Sequence, residues 1–286
     1  MIESPQGRRF ACDVHTHTLY SQHAYSTIEE NVRTAAERGI ELLGSADHFS
    51  NMLFPDRVAS FYQYYNNYRV WPREWHGVKV LHGAEADIVN LRGELYGEDI
   101  LVTTSVDGGP CDPLTLQEYV FRRCDYVIAS IHNKWFCRDA SLAQTTEMYI
   151  NALAHPKVLI LGHPGRPGVP FDIDAVLEAA RAYNKLIEIN EYSFTHLAQS
   201  RDMCVKIIER CAETGTPISV STDAHISAEV GDYQVVPKLL DEMDFPPELI
   251  ATRSAETFLA AIAQVGIAPA EECPPLLQAT TQLCRR

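Results

Sequence analysis

Apolar residues gather along the chain in seven short runs, at 10–14, 40–46, 78–86, 126–131, 158–161, 186–189 and 218–221. Each run is too short for a helix and is bounded by polar or turn-forming residues, so each predicts a strand. Between the runs the spacing changes to a helical period, over 27–38, 141–154, 172–183, 200–214, 235–243 and 254–265. The first of these is the clearest. Thr27 stands as N-cap with Glu30 three residues on, Ile28, Val32, Ala35 and Ala36 share one face, and Gly39 ends the element. Strands that are apolar along their length and alternate with helices predict a parallel sheet covered on both faces. Seven such units predict an α/β barrel, with an open doubly wound sheet as the runner-up.

Two stretches depart from this rhythm. Residues 61–75 are rich in aromatics, and residues 92–116 are polar and carry Asp99, Asp107, Gly108, Gly109, Pro110 and Pro113. The second is expected to leave the barrel. The organisation expected is therefore a single barrel domain over 1–265, an excursion at 92–116, and a C-terminal tail at 266–286 that lies over the surface.

The polar residues just past each strand change the picture from architecture to chemistry. They are His15 and His17, Asp47 and His48, Glu85, His132, His163, and Asp223 with His225; the sixth strand instead ends in Asn190 and Glu191. The C-terminal strand ends of a β/α barrel converge on one rim, so these residues become neighbours. Residues two apart on a strand point the same way, which lets His15 and His17 grip one ion together, and Asp223 and His225 repeat the spacing. A lone histidine is more often a packed core residue than a ligand, but this many at strand ends predict one metal site. Imidazole and carboxylate donors together suit zinc, manganese or iron. His76, His82, His155 and His196 stay outside the set, with His82 expected on the opposite face of its strand and His196 in a loop within reach of substrate.

Charge refines the choice of substrate. The formal net charge is −14, which argues against a long nucleic acid as partner, since a phosphate backbone needs a basic stripe. Bound cations can nevertheless reverse the field inside one pocket, so a small phosphorylated metabolite fits. The eight cysteines form no CxxC pair and read as buried free thiols. No apolar run approaches the ~18 residues of a membrane span, and the first ten residues carry no signal-peptide pattern, so a cytoplasmic protein without a membrane partner is expected. A homo-oligomer stays open.

The stretches DVHTHT, SQHAYST, SADH, HGAEADI, ASIHN, LGHPG, LIEIN and STDAH, in this order, resemble the PHP (polymerase and histidinol phosphatase) superfamily, and within it the YcdX-type phosphatases. The resemblance implies a distorted seven-stranded (β/α)7 TIM-like barrel holding three divalent ions, often zinc. Carried over by position, His15, His17, Glu85 and Asp223 correspond to a first site. Glu85, His132 and His163 correspond to a second, and His23, His48 and His225 to a third. The activity implied is hydrolysis of phosphate monoesters by a hydroxide bridging two ions, with Glu85, Asp223, His225 and Arg166 as the candidate catalytic residues. Arg166, three residues after His163, is expected to clamp phosphate through paired hydrogen bonds; Arg201 is a weaker candidate. Asp13 and Asp47 are expected either to accept the outer N–H of a ligand histidine or to bind backbone. A nuclease or nucleotide phosphoesterase of the same family, or a non-catalytic metal-binding module, are the alternatives.

Overall fold

The computed structural model describes residues 2–3, 7–53, 58–67 and 70–267. Seven strands make the main sheet: β1 (Cys12–Thr16), β2 (Leu42–Ser45), β3 (Val78–Asp87), β4 (Tyr126–Ser130), β5 (Val158–Leu161), β6 (Leu186–Asn190) and β7 (Ile218–Ser221). Their order in space is their order in sequence, and every neighbouring pair is parallel. A parallel bridge between Thr16 and Ala224 brings the last strand back to the first, so the sheet is a nearly closed, distorted barrel rather than an open wound sheet.

The helices lie where the apolar period places them, over Ile28–Glu37, Leu142–Ala154, Ile173–Ala182, Arg201–Thr214, Val236–Glu242 and Ala255–Val265. Capping explains several starts. The Thr27 hydroxyl accepts the Glu30 amide while Glu30 reaches back to the Thr27 amide, and Ser141 with Gln144 repeats this. β1 begins two residues later than the apolar run suggests, because Arg9–Phe10 pairs antiparallel with Ile2–Glu3 instead. Within 92–116, Leu101–Thr104 and Pro110–Thr115 form an antiparallel hairpin of their own.

Tyr126 is the largest strand side chain in a buried cluster that includes Cys12, Val14, Leu42, Ile128 and Ile160. Tyr126 on β4 lies across the lumen and donates its hydroxyl to the Val14 carbonyl at 2.5 Å. Gly44 on β2 and Gly83 on β3 leave the room it needs: a Cβ at Gly44 would sit 1.9 Å from the Tyr126 Oη, and one at Gly83 would sit 2.8 Å from the ring. Phe258, on the helix Ala255–Val265, packs edge-on against Tyr126 at 5.5 Å. The closed lower barrel leaves the C-terminal strand ends as the open mouth. No helix among the described residues is long and apolar enough to cross a membrane.

Candidate metal centre

Glu85, near the C-terminal end of β3, is wholly buried and stands at the hub of the rim. Its Oε1 lies 2.9 Å from His163 Nε2, 3.2 Å from His132 Nε2 and 3.4 Å from His15 Nε2. Its Oε2 lies 2.7 Å from His48 Nδ1 and 3.7 Å from His17 Nε2. Five imidazoles from four stretches of chain therefore surround one carboxylate. Asp223, just past β7, closes the other side, with Oδ1 at 2.9 Å from His17 Nε2 and 3.5 Å from His15 Nε2. His23 Nε2 faces both His48 Nε2 at 3.2 Å and His225 Nε2 at 3.1 Å. All nine residues implied as ligands thus meet in one cluster.

What surrounds these rings fixes how they face. His15 Nδ1 lies 2.7 Å from Glu188 Oε1, and an ionised carboxylate only accepts, so Nδ1 carries the proton and the Nε2 lone pair points inward. His132 Nδ1 donates in the same way to Asp87 at 2.6 Å. His17 Nδ1 meets the Ser21 hydroxyl at 2.9 Å; Ser21 in turn donates to Asp47 at 2.6 Å, so the serine oxygen accepts from His17. His225 Nδ1 donates to the Asp223 carbonyl at 2.9 Å. The Nε2 atoms of His15, His17 and His132 are aimed at the Glu85 and Asp223 carboxylates, and that of His225 at His23. Lone pairs facing lone pairs repel unless a proton or a metal ion lies between them.

The unpaired atoms agree with that requirement. His15 Nε2, His48 Nδ1 and Glu85 Oε2 are buried without a hydrogen-bond partner, although the last two stand only 2.7 Å apart. Two donor atoms that close, but misaligned for a hydrogen bond, suit ligands of a shared ion. Three triads bring donor atoms within 4.8 Å of one another: His15, His17 and Glu85; His48, Glu85 and His132; and His17, His48 and His225. They cut across the three implied sets chiefly at His48, whose two ring nitrogens face Glu85 and His23. The donor set fits a borderline transition-metal ion.

Charge points the same way. Burial lowers the pKa of His15, but the carboxylates of Glu188, Asp223 and Glu85 outweigh it and hold the imidazole well above its ordinary value. His132 is pushed up to about 10, with Glu85 and Asp87 overcoming burial. His163 is lowered to about 4 by burial and by Arg166. Burial raises Glu85, yet His132, His15 and His48 outweigh it and hold it well below the carboxylate range. Positive charge is thus favoured beside Glu188, Asp87 and Glu85, whereas burial with His48 and His225 holds His17 well below its ordinary value.

Two of these residues have left-handed backbone, which is uncommon outside glycine although histidine and aspartate tolerate it better than most. His163 has φ +30° and Asp223 has φ +62°. A side chain in this region costs on the order of 1–3 kcal/mol, a cost typical of positions where direction outweighs stability. Neighbouring bonds hold both. The His163 amide donates to Glu188 Oε2 at 2.8 Å, and the Asp223 amide donates to the His15 carbonyl at 2.8 Å.

The remaining candidates scatter. Arg166 reaches the rim, where its Nη1 donates to Asp223 Oδ2 at 2.7 Å, so it holds the carboxylate of a candidate ligand. Arg201 lies instead over the Phe194 ring, 5.6 Å from its centre. Asp47 acts on His17 only through Ser21. Asp13 binds Thr222 and the Gly231 amide, the backbone role of the two expected for it. His196 stacks on Tyr192 at 4.2 Å, and both line a pocket of about 600 Å3 above the ligands, with Arg166, Tyr25 and Glu229 among its walls. Asn190 caps the short helix Glu191–Thr195, and Glu191 receives the amides of Gln234, Val235 and Val236.

Glu188, Asp87 and Ser21 were not anticipated from spacing. A signal existed for two of them. Glu188 is an acid inside an otherwise apolar strand, which is costly to bury without a partner, and Asp87 follows Glu85 by two residues, on the same face.

A β/α barrel whose mouth gathers imidazoles and carboxylates in this way offers the donor set that metal-assisted hydrolases use. The PHP domain matches residues 13–194. A probable phosphatase of Acetivibrio thermocellus is 36% identical over 251 residues, covering 87% of this chain and 94% of its own. A probable phosphatase of Clostridium acetobutylicum is 37% identical over 243 residues, covering 85% and 90%. The histidinol phosphate phosphatase of Lactococcus lactis, solved with zinc, L-histidinol and phosphate, is 14% identical with a TM-score of 0.49, over 91% of this chain and 95% of that one. The chain belongs to the PHP family, and it is a hydrolase acting on phosphoric ester bonds.

Proposed function

We propose that the protein hydrolyses phosphate monoesters of small molecules, using three divalent ions held by His15, His17, His23, His48, Glu85, His132, His163, Asp223 and His225. The observation that carries this reading is the set of Nδ1 contacts to Glu188, Asp87, Ser21 and the Asp223 carbonyl, which turn the Nε2 atoms of His15, His132 and His17 toward two carboxylates and that of His225 toward His23. Zinc is the favoured ion, with manganese or iron as alternatives, because the donors are nitrogen and oxygen in mixture. Divalent ions bound there would acidify water and neutralise phosphate charge.

The chain's own residues do the rest. Glu85 presents its two oxygens to different imidazoles, Oε1 to His163 and His132 and Oε2 to His48, which supports a role as the ligand that would be shared between ions. Glu188 orients His15 and, through the His163 amide, the loop that carries His163. Arg166 fixes Asp223 from the pocket side and leaves further N–H groups for a phosphate oxygen. The pocket above the ligands has room for a small ester, while the acidic exterior disfavours a polyanion. The six described cysteines are free, as suits a cytoplasmic protein.

Elemental analysis of the purified protein should find bound transition metal, and the loaded protein should release phosphate from p-nitrophenyl phosphate. His17→Ala and Glu85→Ala should abolish release. Full turnover by either variant would overturn the reading, and cleavage of a 3′-labelled oligonucleotide at a comparable rate would replace the small substrate with a nucleic-acid end.

A further inference from the structure

A second cavity adjoins the metal pocket and plays no part in the account so far. After β4 the chain turns sharply: Asn133 Oδ1 accepts the Trp135 amide at 3.1 Å, and a single 3-10 turn runs over Trp135–Cys137. Lys134 Nζ donates to the Pro167 carbonyl at 2.7 Å, which ties this turn to the loop after β5. The turn holds Trp135 at 74% exposure, although tryptophan is among the residues most buried on average. Its indole lines a cavity of about 580 Å3 together with His132, Lys134, Arg138, Val169 and Pro170. His132 is also a wall of the pocket above the ligands, so the two cavities meet at one ligand imidazole.

We propose that this cavity is the leaving-group subsite, and that it takes esters whose alcohol part carries a flat aromatic or heteroaromatic ring stacked on Trp135. The inference rests on the phosphatase reading above. A phosphoryl group seated above the candidate ligands would lie next to His132, the wall shared by the two cavities, so a leaving group directed past that ring would enter the second one. On that side the walls are indole, valine and proline, which suit a ring face, with two cations at the rim. Lys134 keeps two N–H groups after its bond to Pro167, and Arg138 stands 3.5 Å from Asp139, so an anionic substituent on the ring would also be received. A small alkyl leaving group such as glycerol would use neither feature. Tyr25, the exposed aromatic of the other pocket, lies across the cluster on the His23 and His225 side.

Calorimetric titration of the metal-loaded protein with benzylphosphonate and methylphosphonate, neither of which carries a hydrolysable ester, tests the assignment. A stacked ring should give benzylphosphonate an advantage of roughly tenfold. Trp135→Leu should erase that advantage and leave methylphosphonate binding unchanged, while Trp135→Phe and Tyr25→Leu should keep most of it. In turnover, Trp135→Leu should raise KM for p-nitrophenyl phosphate and spare KM for glycerol 2-phosphate. The proposal is overturned by a wild type without the preference, by a Trp135→Leu variant that retains it, by equal loss for both phosphonates, or by loss in Tyr25→Leu instead. If the wild type hydrolyses neither ester but shows the Trp135-dependent preference, the monoesterase reading falls and the ring subsite stands.

Discussion

His82 and Glu85 lie three residues apart on β3 and face opposite sides of it, and both sides hold buried histidine. On the outer side, His82 is enclosed by Trp71, Tyr64 and Tyr65, with ring centres at 5.1, 5.8 and 5.3 Å. Its Nδ1 meets the Arg123 carbonyl at 3.3 Å, and its amide donates to Asp125 at 2.8 Å. On the inner side, the rings around Glu85 turn their lone pairs toward carboxylates and toward one another. Burial is equal in the two places, so burial says nothing of function here. What separates them is what the ring nitrogens meet: outside, His82 Nδ1 donates to a backbone carbonyl within a packed aromatic box; inside, nitrogens from several rings converge on two carboxylates and on one another.

The strongest test of that contrast removes the hub. Glu85→Gln keeps the shape but loses the charge, and should lower phosphate release on the order of a thousandfold, with metal per chain falling in parallel by elemental analysis. Activity within tenfold of wild type would mean that the inner side is only another packed box. Glu188→Gln acts one layer out. It should weaken metal affinity by roughly 10–100-fold, measured by competition with a chelator, because His15 loses the charge that fixes its tautomer.

The outer side makes the opposite forecast. His82→Leu should cost about 1–3 kcal/mol in urea unfolding, yet leave turnover of the metal-loaded protein within twofold of wild type. It should also change the response to acid. Burial lowers the pKa of His82 to about 4, so between about pH 6.5 and 4 the unfolded chain takes up a proton that the folded chain refuses. Wild-type stability attributable to this residue is therefore present above pH 6.5 and falls as the pH drops toward 4, by roughly 3 kcal/mol at most. The leucine variant should lose stability less steeply over that window, and an identical slope would remove His82 from the account. Smallest of all, Arg201→Ala should change neither turnover nor metal content beyond experimental error, since its guanidinium rests on Phe194 away from the ligands.

Most of this contrast was legible before any coordinates, for identifiable reasons. Short apolar runs and period-3.6 patterns located all seven barrel strands and six of the helices, and the convergence of strand ends explains why distant histidines form one cluster. His82 was assigned to the outer face by counting three residues back from Glu85. Glu188 was hidden because it sits within β6 rather than beyond it, so a rule about strand ends passes over it. Ser21 was hidden because a serine in a loop has no pattern at all; only the geometry of His17 and Asp47 reveals it as the link between them. The outer box escaped because Tyr64, Tyr65 and Trp71 come from an aromatic stretch whose packing partner spacing cannot supply.

The contacts that organise the cluster span most of the chain: His15 and Glu188 are 173 residues apart, and His17 and Asp223 are 206 apart. A nascent chain therefore holds no finished site until its seventh strand has been synthesised and docked against its first. Before then only fragments exist, such as His15 with His17, which would bind any available ion weakly. Metal identity is accordingly settled late, by the closed barrel, and long-range pairing of this kind makes closure a slow step of folding.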